Sequence, residues 1–321
     1  MTIKSSGSSL AMSEIATEWG GSTAHSISEY YSNGDLVWSG AEDEAGNTIP
    51  TSSTISFSDF YSTPTISTGS GTATNFTSDG TYTIPFGAAT LTCYIHGAGG
   101  QGGEGDETSS GGAGGGGGSG GTVVGTLTVS SNSGSDYSSG DSQQTVTVTI
   151  GDGGDHANSN NSSYLATSSV IAESGEASTV VYGGQTTSAG GGGYGGGFKG
   201  NGTSYSNASQ GGNSIGSNFS ASTNNSGTGA DSYQGGSGDG FGSDGTAGKA
   251  LASNPLSLTS TGGTAGSQSG TTGLTGTING QDASGYGAGS GGAASKDRDN
   301  ITNHWWGGAG APGYVRIQVA S

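Results

Sequence analysis

The sequence predicts a mainly β protein built around a polyglycine-II helix bundle. Two observations carry this expectation: short segments in which apolar and polar residues alternate, and glycine tracts of similar length recurring between them. Of 321 residues 71 are glycine, only 28% are hydrophobic and the net charge is -18. Such a composition alone suggests disorder. The patterned apolar segments argue instead for a real but small core.

Residues 1–62 read as a separate N-terminal module. A small pattern recurs there, as Met12-Ser13-Glu14-Ile15, Ile27-Ser28-Glu29-Tyr30 and Phe57-Ser58-Asp59-Phe60. A serine N-cap followed by an acid, with an apolar residue just before it, is a helix start. After the first start, Ile15 and Trp19 share a face and Gly20-Gly21 ends the helix. Helices this short are marginal alone and need a partner surface. Ile15, Trp19, Ile27, Tyr30, Tyr31, Phe57 and Phe60 form either a satellite core or a docking face for another protein. Residues 63–74, rich in Ser, Thr and Gly, read as a linker.

Residues 75–321 read as a glycine-rich β/polyglycine-II domain. Strands are expected at about 76–97, 122–129, 145–150 and 314–319, with a weaker candidate at Ser178 to Tyr182. Leu91, Cys93 and Ile95 face one way, and Thr92, Tyr94 and His96 the other. In the last strand Val315, Ile317 and Val319 point inward. With one strand near the start of this region and one at its end, first and last are expected to pair.

Between the strands lie tracts such as GGAGGGGGSGG from Gly111 to Gly121. Ordering glycine loses the most backbone entropy and buries almost no side chain. An isolated tract is therefore a linker. Several side by side have a packed alternative. A polyproline-II-like helix has three residues per turn and no internal hydrogen bonds, so its outward N–H and C=O groups can bond laterally to neighbours. Eleven residues would span roughly 34 Å. Repetition favours this stack, with Ser, Ala and aromatic interruptions expected on its outer faces.

The passage FTSDGTYTIPFGAATLTCYIHGAGGQGGEG, with the ending GGAGAPGYVRIQVAS, resembles the glycine-rich domain of bacteriophage tail proteins. LAMSEIATEWGGSTAHSISEYYSNG resembles a segment near the start of virion structural proteins of marine and cyanobacterial myophages. The plan is similar to the tip adhesin of T-even-type long tail fibres. The resemblance implies a fibre or baseplate-tip adhesin. Its N-terminal module would attach to other tail proteins, and loops on the glycine scaffold would meet a host saccharide or outer-membrane protein. It also implies several copies per virion, with a homo-oligomer as one arrangement, made in the host cytoplasm and carried on the tail.

Two alternatives stand beside this: a structural tail, fibre or capsid decoration protein without a receptor, and an ice-binding protein. Six basic residues against 24 acids exclude a phosphate-neutralising groove and hence nucleic acid. One cysteine, Cys93, excludes an intrachain disulfide. The opening residues carry no apolar run of signal-peptide length. His25, His96, His156 and His304 stand in no triad or zinc spacing, so no enzyme and no cofactor are expected. Asp239 and Asp244 are weak candidates for structural Ca²⁺ in an acidic loop. Aromatics in polar stretches, including Tyr205, Phe219, Tyr233 and the pair Trp305-Trp306, are candidate receptor contacts, with His304 and Arg298 beside the pair. The other reading of the tryptophans is that they cap the open end of the stack.

Overall fold

The computed structural model describes residues 73–84, 88, 90–103, 105, 113–129, 144–155, 173–196, 198–199, 203–204, 211–229, 246–267, 279–293 and 306–320. These residues contain no helix. The strands are β1 Thr74–Phe76, β2 Gly80–Thr83, β3 Thr90–His96, β4 Thr122–Thr128, β5 Thr145–Thr149, β6 Ser178–Tyr182 and β7 Gln185–Ala189. They continue with β8 Phe198–Lys199, β9 Thr203–Ser204, β10 Phe219–Asn225, β11 Ser260–Thr261, β12 Ser284–Gly285 and β13 Tyr314–Val319. The N-terminal module and most of the linker lie outside the described residues; Thr74, the linker's last residue, opens β1.

Two antiparallel sheets form a sandwich. One has the order β1-β13-β3-β4-β10, the other β2-β5-β6-β7. The expected pairing of first and last strands is present twice, with β13 flanked by β1 and β3. Alternation decides which residues face inward. Leu91, Cys93, Ile95, Val315 and Ile317 are fully buried, and they pack with Val146, Val148 and Val180 of the opposite sheet. Strands β7 and β10 are not announced by the sequence, because QTTSA and FSASTNN show no apolar alternation.

Glycine segments run out of one end of this sandwich and back into it. Residues 97–103 continue β3, 151–155 follow β5 and 190–196 extend β7; 113–121 lead into β4 and 306–313 into β13. Along 97–103 the amide partners repeat every third residue. Gly97, Gly100 and Gly103 donate to the carbonyls of Gly121, Gly118 and Gly115 at 2.7–3.0 Å. Ala98 and Gln101 donate to Glu176 and Glu173, and Gly99 and Gly102 to Ala311 and Gly308. In every set the acceptor number falls by three as the donor rises by three, which means antiparallel neighbours. Residues 113–121 repeat the scheme, with Gly115, Gly118 and Gly121 bonded to Gly196, Gly193 and Gly190.

The spacing leaves no room for side chains on these faces. A Cβ on Gly100 would stand 2.1 Å from the Gly193 oxygen, and one on Gly117 2.1 Å from that of Gly100. No glycine of 97–103, 113–121 or 190–196 has a positive φ, so the requirement is for a missing Cβ. Most interruptions do not lie on outer faces as expected, although Tyr194 and Ala309 are partly exposed. Ala98, Gln101, Ala113, Ser119, Ala288, Ser290, Ala293 and Ala311 are all buried. Three of them serve backbone groups of neighbouring segments, and of these the Ser119 hydroxyl accepts from the Thr228 amide at 3.2 Å. The Ser290 hydroxyl accepts from the Gly102 amide at 2.6 Å and donates to the Gly308 carbonyl. The Gln101 side-chain oxygen accepts from the Glu173 amide at 2.9 Å.

Candidate functional site

The glycine body has two ends. At the near end it is rooted in the sandwich by side chains. His96 Nδ1 lies 3.0 Å from Thr122 Oγ1, whose hydroxyl donates to the Ser253 carbonyl. The Ser178 hydroxyl accepts from the Gly151 amide, and Asn213 Oδ1 accepts from that of Gly190. Burial lowers the His96 pKa to about 4 and pushes the Cys93 thiol up to about 12. At neutral pH the pair therefore offers neither a thiolate nor an imidazolium.

The far end is where the chain leaves the body and returns to it. Six outgoing segments are joined to returning ones by residues that lie mostly outside the described set. For four of these excursions both ends lie in the distal half, at Gly103/Ala113, Asp155/Glu173, Ser267/Asn279 and Ala293/Trp306. Residues 197–210 leave beside Gly196 and return near the sandwich at Gly211. Residues 230–245 leave just beyond Thr228, which is bonded to Ser119, and return distally at Thr246, whose amide donates to the Gly114 carbonyl.

Trp306 stands at this distal end and is half-buried. Its amide donates to Asn279 Oδ1 at 3.0 Å, and its carbonyl accepts from the Gly280 amide at 2.9 Å. Three residues on, the Ala309 amide donates to Asp282 Oδ1. Side-chain oxygens of the neighbouring segment thus fix the backbone that carries the indole. Sequence reasoning missed Asn279 and Asp282, because nothing in the sequence shows which segment lies beside 306–309.

The other candidates fall as follows. Phe219, expected as an exposed aromatic, is 7% exposed and packs into the sandwich core. It opens β10 opposite Leu127, so its ring has no free face for a receptor. Tyr205, Tyr233, Arg298, His304 and Trp305 lie outside the described residues, as do Asp239 and Asp244. So do Ile15, Trp19, Ile27, Tyr30, Tyr31, Phe57 and Phe60. By position in the chain, Tyr205, Tyr233, Arg298, His304 and Trp305 all belong to the excursions from the body. Among the described residues, no group of three or more His, Cys, Asp or Glu is placed to hold a metal ion. No helix among them is long and apolar enough to cross a membrane.

A β-sandwich that extends into a body of backbone-bonded glycine segments defines a scaffold class, in which the framework is made of main chain. The chain belongs to the glycine-rich domain family, which matches residues 72–320. No curated protein matches it.

Proposed function

We propose that the protein is an adhesin at the tip of a phage tail fibre or baseplate. In this reading it binds a host-surface saccharide or outer-membrane protein and performs no catalytic step. The observation that carries the reading is the polarity of the molecule. The chain enters at β1, whose Thr74 pairs with Ile317 towards the end of the sandwich away from the glycine body. Four of the six excursions both leave and re-enter the body in its distal half. Residues 1–62 are thus suited to attach to other tail proteins at one end, while the excursions meet the host at the other. Copies displayed together on the virion would multiply a weak contact into avidity.

The three-residue period of the amide partners supports reading the tracts as polyglycine-II helices, since that helix has three residues per turn and bonds only to neighbours. Such a scaffold suits an adhesin. Most of its hydrogen bonds are backbone to backbone, so excursion sequences can change without altering them.

The test is adsorption of purified full-length protein to cells of candidate hosts, beside the Trp305→Ala/Trp306→Ala variant. Binding that blocks infection, lost in the double variant, is the expected result. Absence of binding to every cell the source phage infects would overturn the reading in favour of a structural virion component.

A further inference from the structure

The outer face of the five-stranded sheet, away from the core, carries a second set of features. Thr92 and Tyr94 of β3, Val124 of β4, and Arg316 and Gln318 of β13 share it by alternation and register. Val124 is buried, yet it lies outside the core cluster. The Arg316 guanidinium carbon is 6.0 Å from the Tyr94 ring centroid, and its Nη2 donates to Gln318 Oε1 at 3.2 Å. Its Nε is buried and has no hydrogen-bond partner among the described residues. A buried cationic donor left unmet is costly and calls for an acceptor, best a carboxylate.

We propose that residues 1–72 of the same chain fold back onto this face and set a carboxylate on Arg316. Three observations select that occupant. The segment enters beside the site, because Asn75 of β1 pairs directly with Arg316. Its charge is complementary, with eight carboxylates against one lysine. Its reach is ample. Asp59, the acid nearest to β1, lies 15 residues before Thr74, and an extended chain of that length spans roughly 50 Å. The whole sheet is only about 24 Å wide. The N-terminal segment is then latched to the sandwich rather than joined by a free tether. This inference does not depend on the adhesin reading.

Two measurements on the full chain test it. In the Arg316→Lys chain, carbodiimide coupling should join position 316 to an acid within 1–72, and a mixture with isotope-labelled chains should show the link within one molecule. Links only between labelled and unlabelled chains would assign the face to a second copy, and links to no acid of 1–72 would also overturn the proposal. The second measurement needs no lysine at 316. Arg316→Gln should lower the unfolding midpoint of the parent, but not of a chain whose eight N-terminal carboxylates are changed to amides. An equal loss in both backgrounds would overturn it.

Discussion

The sandwich and the glycine body are held together by opposite means. In the sandwich, side chains make the contacts: Leu91, Ile95, Val146 and Ile317 are buried between two sheets. In the body the main chain makes them: amides of 97–103 reach carbonyls of 113–121, 173–176 and 308–311, and a Cβ on most tract glycines would strike a neighbour's oxygen. The sandwich therefore depends on apolar volume and the body on its absence. Ordering glycine costs more backbone entropy than ordering any other residue. The body offsets that cost through bonds on three sides and by growing out of strands whose ends are already fixed.

The sharpest way to break this comparison is to add one methyl group. Gly100→Ala puts a Cβ 2.1 Å from the Gly193 oxygen. It is expected to destabilise by more than about 4 kcal/mol or to abolish soluble folding. Gly212→Ala, with none of the described residues within 4 Å of the added Cβ, should stay within about 0.5 kcal/mol in thermal unfolding. Equal effects of the two would refute backbone packing as the reason for the glycines.

In the sandwich the reverse change is the damaging one. Leu91 is fully buried, and Leu91→Ala should cost about 2–5 kcal/mol in denaturant unfolding. The junction responds to pH. His96 has a folded pKa of about 4, below its ordinary 6.5, because burial disfavours the charged form. The unfolded chain therefore binds the proton more tightly. Stability is full above about pH 6.5, falls as pH drops towards 4 and levels off below it, a loss of about 3 kcal/mol. Urea midpoints across that window should follow this curve, and His96→Gln should flatten it. A parent chain with no slope across the same window would contradict the burial of a neutral imidazole.

A smaller effect separates the two uses of glycine. Gly183 and Gly184 join β6 to β7 with φ of 57° and 73°, and an added Cβ on either meets none of the described residues within 4 Å. Here the left-handed backbone, not space, selects glycine. Gly183→Ala should cost about 1–2 kcal/mol. A cost as large as that of Gly100→Ala would mean that the turn, too, is limited by packing.

How much of this is legible in the sequence depends on side chains. β3, β5 and β13 are readable because one buried face imposes apolar alternation. β7 and β10 are not, since polar strands owe their place to their neighbours, although Gly183-Gly184 is a hairpin signal between STVVY and QTTSA. Phe219 misleads because a lone aromatic in a polar stretch looks like a loop residue. Alternation assigns His96 to the correct face of β3, but nothing in the sequence shows that Thr122 stands opposite it or that this face is covered there. The tracts are visible by repetition. Their partners are not, because glycine carries no side chain to mark which neighbour it meets, and so the burial of Ser290 and Gln101 could not be foreseen.

The central claim is that the glycine tracts are folded structure, and amide hydrogen exchange tests it most directly. The amides of 97–103 and 114–121 should exchange as slowly as those of β3 and β13, because they too are buried and bonded. Exchange at the rate of an unstructured glycine peptide, with β3 and β13 still protected, would contradict the account.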